Sequence, residues 1–110
     1  MISVSADRQA PPDVPPVTRG GVTYRQAEDG RAVGYDQVGG VLIADDAASR
    51  ARLWTLAVYP NPINKDFEGD AQWRFFRAMS FDSNGRLRVV DEAGRAWLVD
   101  VERQASSPAP

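Results

Sequence analysis

Ser83-Asn84-Gly85-Arg86-Leu87-Arg88-Val89-Val90-Asp91-Glu92-Ala93-Gly94-Arg95-Ala96-Trp97-Leu98-Val99-Asp100 is the stretch that decides the fold. Ser83-Asn84-Gly85 and Glu92-Ala93-Gly94 both read as three-residue hairpin loops ending in Gly, the residue that takes the left-handed backbone such loops need. The first loop pairs Asp82 with Arg86, Phe81 with Leu87 and Met79 with Val89. The second pairs Asp91 with Arg95, Val89 with Trp97 and Leu87 with Val99. Both registers agree, so Phe81, Leu87 and Val99 form one cross-strand row and Met79, Val89 and Trp97 the next, on a single core face. The opposite face receives Asp82, Arg86 and Asp100, an alternating-charge row suited to solvent. Without a bulge, Trp73 and Phe75 continue the apolar face along the same strand.

Working outward, Asp29-Gly30 is a two-residue turn signal, and pairing Glu28 with Arg31 across it sets Tyr24 opposite Tyr35. Val41 to Asp45 follows Gly39-Gly40 as a further strand. Ala51 to Tyr59 carries Trp54, Leu56 and Val58 on one face, and Pro60 and Pro62 stop it, because proline cannot donate to a ladder. Seven strands are expected, at 22–28, 31–38, 41–45, 51–59, 72–82, 86–91 and 95–102. The fold class is all-β: a single-domain antiparallel meander, as a curled sheet or a partly closed small barrel. Residues 1–19, with Pro11, Pro12, Pro15 and Pro16, read as a Pro-rich extended or disordered arm, 20–103 as the β domain and 104–110 as a disordered tail. The 61–71 segment is the one long interior loop.

At 110 residues the chain has room for one core, burying roughly 60 to 70% of its unfolded surface. It contains neither Cys nor His. That removes thiol nucleophiles, any triad with a His base, and the usual zinc, copper and haem ligands. No cofactor and no enzyme activity are expected. Thirteen basic and fifteen acidic residues mix along the chain to a net charge of -2, which gives no field to hold nucleic acid or anionic lipid. No apolar run reaches signal or membrane-span length, so the expected location is cytoplasmic, or outside the cell for a protein expressed without its signal peptide.

Val41-Leu42-Ile43 followed by Asp46-Ala47-Ala48-Ser49-Arg50-Ala51-Arg52-Leu53-Trp54 resembles the repeat signature of quinoprotein (PQQ-type) β-propellers. There an apolar strand meets an Asp, a small-residue turn and a strand bearing Trp; Arg50 stands where that repeat usually has Gly. The match spans about one eighth of the chain, which has strands for fewer than two blades, whereas a propeller needs about four or more. The Trp strand, the long loop and the closing hairpin through Trp97 also resemble a group of small bacterial all-β proteins. That likeness implies no activity and no cofactor.

Four sets of residues bear on function. Asn64, Asp66, Glu68 and Asp70 alternate oxygen ligands around Gly69 like the start of an EF-hand loop, but Lys65 intrudes and the position of the closing Glu is Phe75. An ordinary solvated loop is the reading favoured there, with no metal. Arg77 falls on the apolar face, where it invites an anion-binding role; Asp91 across from it and Arg95 beyond make a structural ion-pair row the favoured reading. Asp45 and Asp46 are the nearest carboxylate pair, but adjacent strand residues face opposite ways, which disfavours acid-base work. Among the aromatic residues, Tyr59 and Trp73 join Arg77 as candidates for a ligand or partner surface, while most of the others are needed for burial. The expected function is therefore a non-enzymatic binding or assembly module that acts through a sheet surface, an open edge strand or the 61–71 loop. Its partner is another protein or a second copy. The alternative is a carboxylate-based hydrolase or calcium-binding module using the acidic 64–70 loop.

Overall fold

The computed structural model describes residues 13–61 and 73–110. Among the described residues eight strands form two four-stranded antiparallel sheets, each a meander with neighbours in chain order. The first sheet comprises β1 (Val17–Arg19), β2 (Val22–Gln26), β3 (Val41–Asp46) and β4 (Arg52–Ala57). The second comprises β5 (Phe76–Phe81), β6 (Leu87–Asp91), β7 (Ala96–Asp100) and β8 (Ala105–Pro108). The antiparallel meander stands, whereas the curled or barrel-like single sheet does not: the chain leaves β4 and starts a second sheet, and neither sheet closes. Their facing sides share one apolar cluster, in which Tyr24, Leu42 and Ala44 of the first sheet meet Phe76, Met79, Leu87, Val89, Trp97 and Val99 of the second.

The register read across the two glycine loops is the register observed: Met79 lies opposite Val89, Phe81 opposite Leu87, Val89 opposite Trp97 and Leu87 opposite Val99. Gly85 and Gly94 close the loops with φ of 80° and 86°, in the left-handed region. The tail expected to be disordered adds β8 to this sheet, with Val99 opposite Ser106. Residues 17–19, assigned to the arm, form β1 and pair with β2.

The expected hairpin at Asp29-Gly30 is absent, and 31–38 is not a strand. A type I′ turn needs positive φ at both central residues. Neither Asp29 nor Gly30 has it, and Asp29 instead accepts the Arg31 N–H as the N-cap of a 3₁₀ turn, Gly30–Val33. Gly30 has no room for a side chain: a Cβ there would lie 2.4 Å from the Gln37 carbonyl oxygen and 2.6 Å from Val41 Cγ2. β2 therefore pairs with β3, and Tyr24 faces Ala44 rather than Tyr35. The 3₁₀ segment lies on the outer face of the first sheet, where Ala27, Val33 and Tyr35 pack on Val41 and Ile43. β3 is thus covered on both faces, which accounts for its uninterrupted apolar run.

The apolar phase does not continue unbroken to Trp73. A bulge between Phe76 and Ala78 inserts Arg77 as an extra residue on β5. A regular strand would aim Arg77 into the core, where an unpaired charge is costly. The extra residue turns Arg77 to water and brings Phe76, fully buried, to lie opposite Asp91.

Candidate binding surfaces

Asp91 ends β6 and is fully buried. Its Oδ1 accepts the Ala93 and Arg95 N–H groups at 2.9 and 3.0 Å, closing the second glycine loop, and its Oδ2 accepts the Trp97 indole N–H at 3.1 Å. The cation that reaches it is Arg74, with Nε 3.4 Å from Oδ2. The one-residue bulge sets Phe76 rather than Arg77 opposite Asp91, and the ion pair expected from Arg77 is made instead by Arg74, from the chain just before β5. Trp97 stacks on Tyr59 at 5.4 Å between ring centroids, and the Arg74 guanidinium lies 5.1 Å from the Tyr59 ring centre. The Tyr59 hydroxyl donates to the Arg74 carbonyl at 2.6 Å, and Gln37 Nε2 donates to the carbonyls of Gly39 and Tyr59. Burial, reinforced by the nearby Asp91 carboxylate, raises the Tyr59 pKa far above its ordinary value near 10. A hydroxyl so reluctant to ionise and already committed to a carbonyl is structural. Tyr59, expected on a partner surface, belongs to the core.

The remaining expected site residues do not converge with it. Trp73 is half-buried, edge-on to Phe75, with the Arg31 guanidinium 5.7 Å from its ring centre. Arg77 projects from the β5 bulge into solvent. Asn64, Asp66, Glu68 and Asp70 lie outside the described residues, as does most of the 61–71 loop. Among the described residues no three His, Cys, Asp or Glu side chains gather to hold a metal ion. The Asp45–Asp46 pair divides as strand geometry requires. Asp45 is buried and accepts from Arg25 Nε at 2.7 Å, whereas Asp46 accepts the Ala48 and Ser49 N–H groups, which lower its pKa.

Clefts open on the surface of the described residues, and the charges lining two of them bear on function. One, of about 590 Å³, lies between the sheets and is lined by Arg19, Tyr24, Phe81, Arg86, Asp100 and Glu102. The other, of about 760 Å³, runs beside the 3₁₀ turn past Arg25, Glu28, Asp29, Ile43 and Arg52. Several of their charges are already engaged: Arg19 stacks over Phe81, Asp29 is paired with Arg31, and Arg25 with Asp45.

The sheet edges differ sharply from one another. β1 has three residues and follows Pro15-Pro16, and β8 has four and ends at Pro108. β5 is broken by its bulge, and its first amide, that of Phe76, is taken by Gln26 Oε1 of β2. Short length, proline and bulges are the usual means of blunting an edge. β4 has six residues, no proline and no charge beyond Arg52, and its one extra residue, Leu53, sits near its start. From Trp54 to Ala57 its pairing with β3 is regular. Val58 N–H bonds to the Gly40 carbonyl, so by antiparallel alternation the peptide groups of Leu56 and Trp54 also face β3, while those of Thr55 and Ala57 face away. No described residue caps those outward groups. Leu53, 50% exposed, is the one large apolar side chain left exposed among the described residues. The sequence places Trp54, Leu56 and Val58 on one face of this strand but does not say which strand is the open edge. The uncharged run from Leu53 to Tyr59 was the legible signal, but only the sheet order shows that this strand is an edge. No protein-family model, no curated protein and no solved structure matches the chain.

Proposed function

We propose that this protein is a non-enzymatic binding and assembly module whose working surface is the open edge of β4. The observation that carries this reading is the contrast among edges: three are shortened, bulged or closed by proline, and the fourth presents the outward peptide groups of Thr55 and Ala57 beside exposed Leu53. An extended segment of another chain can add to such an edge by main-chain hydrogen bonds, with side-chain contacts on alternate residues setting preference. The buried polar groups around Asp91 and Tyr59 serve to hold the two sheets together, so binding demands no rearrangement of the core. A display library of random extended peptides tests the reading. Enriched peptides should slow hydrogen exchange at the Thr55 and Ala57 amides, and Ala57→Pro should abolish their binding, since its lost N–H makes no bond within the sheet. Failure to enrich any peptide, or binding that Ala57→Pro leaves intact, would show that the edge is not the working surface.

A further inference from the structure

We infer that the partner of β4 is a second copy of this chain, joined edge to edge around a two-fold axis at Leu56. The inference rests on the reading of β4 as the working edge. Antiparallel alternation requires outward residues to pair with outward residues. A two-fold axis at Leu56 sets Thr55 of each copy opposite Ala57 of the other, in two hydrogen-bonded pairs that together supply four N–H···O bonds. It uses only the regular part of β4 and leaves the extra residue at Leu53 outside the new ladder.

The side chains fit this register. Leu56 and Trp54 lie opposite Leu42 and Ala44, which belong to the shared core, so both point to the inner face, and Val58 follows in phase. Across the axis Leu56 meets Leu56 and Trp54 meets Val58. Trp54 and Leu56 are only half-buried in the isolated chain, and this contact covers them with apolar surface. No charged residue lies between Leu53 and Tyr59, so two copies of a chain with net charge -2 meet without like charges opposed at the seam. An unrelated partner would need a matching apolar, uncharged strand; the second copy has one by identity. The neighbouring strand of the other sheet, β8, is short and ends at Pro108, so the opposing edge below the seam is a weak competitor for the same pairing.

The chain contains no Cys, which allows a clean test by symmetric cross-linking. A Leu56–Leu56 pair would be a non-hydrogen-bonded antiparallel pair, with Cα atoms about 4.5 Å apart, inside the range a disulfide spans. A Leu56→Cys chain under mild oxidant should form disulfide dimers at micromolar concentration. Thr18→Cys, on the opposite edge, should remain monomeric, and adding Ala57→Pro to Leu56→Cys should suppress the cross-link. Independently, light scattering and sedimentation of the unsubstituted chain should show its mass doubling between micromolar and near-millimolar concentration, with Ala57→Pro holding it monomeric. A strict monomer throughout that range, or cross-linking of Leu56→Cys no faster than of Thr18→Cys, overturns the inference. A monomer that still binds library peptides along β4 overturns self-pairing alone; a monomer that binds none overturns the working edge as well.

Discussion

Asp82 and Asp91 open the two glycine loops with the same bonds: each Oδ1 accepts two loop amides, those of Asn84 and Arg86 in one case and of Ala93 and Arg95 in the other. Their surroundings separate them. Asp82 is part-exposed and closes only its turn, whereas Asp91 is fully buried and also holds the Trp97 indole and Arg74. Asp82→Ala should therefore cost about 1 to 2 kcal/mol, the worth of hydrogen bonds to a charged acceptor. Asp91→Ala should cost about 3 to 5 kcal/mol, because it strands a cation beside the core. Urea denaturation of both variants checks the difference. Trp97→Ala should cost about 3 to 5 kcal/mol, through the cavity left against Met79, Val89 and Tyr59. Tyr59 predicts an alkaline limit. Its folded pKa is raised, so the unfolded chain releases that proton first, near pH 10. The stabilisation is full below that pH and falls as pH rises toward the folded value. Melting temperature should decline above pH 10, and Tyr59→Phe should flatten that decline.

At the scale of elements, the turns form two classes. Ser83–Gly85 and Glu92–Gly94 end in glycine at positive φ, whereas the turns after β3 and β7 reach the same left-handed region with Arg50 at φ 68° and Gln104 at φ 55°. A non-glycine residue there costs roughly 1 to 2 kcal/mol, partly offset when glycine replaces it by glycine's greater freedom in the unfolded chain. Arg50→Gly and Gln104→Gly should each raise stability by up to about 1 kcal/mol. Gly94→Ala should lower it by about 1 kcal/mol, a purely conformational cost, since a Cβ at Gly94 would meet nothing within 4 Å. Thermal melts of the three variants check both signs. This contrast also explains what could be read from the chain alone. Gly85 and Gly94 mark their loops openly and fix the register of β5, β6 and β7. Ala105-Ser106-Ser107-Pro108 has no strand preference of its own, and it becomes β8 because β7 offers it a ladder and Ser106 Oγ reaches the Val58 carbonyl.

The whole molecule depends on the close approach of the two sheets near Gly39. A Cβ on that residue would lie 2.3 Å from the Arg74 carbonyl oxygen, which also accepts the Tyr59 hydroxyl, while the Arg74 amide donates to Asn61 Oδ1. The start of the second sheet is thereby pinned against the connection entering the first. Gly39→Ala should force that contact apart and cost about 3 kcal/mol, toward the upper end of overpacking penalties. Gly20→Ala, where a Cβ would meet nothing within 4 Å, should cost only the strain of its positive φ. Comparing the two by denaturant titration separates crowding between the sheets from local backbone strain.

Local chemistry in the sequence determined that the protein is all-β and antiparallel, that Phe81, Leu87, Val89, Trp97 and Val99 share a core face, and that Cys- and His-based chemistry is closed to it. Each of these follows from neighbours a few residues apart, where turn residues and a two-residue period leave little choice. Tertiary structure alone decided that the strands divide into two sheets, that Asp29 caps a 3₁₀ turn, and that Arg74 rather than Arg77 reaches Asp91. It also decided that β4 lies at an edge. These outcomes turn on contacts between distant segments: Gly30 fits where Gln37 and Val41 leave no space for a Cβ, and an arginine facing an apolar core is expelled by a bulge no local signal marks.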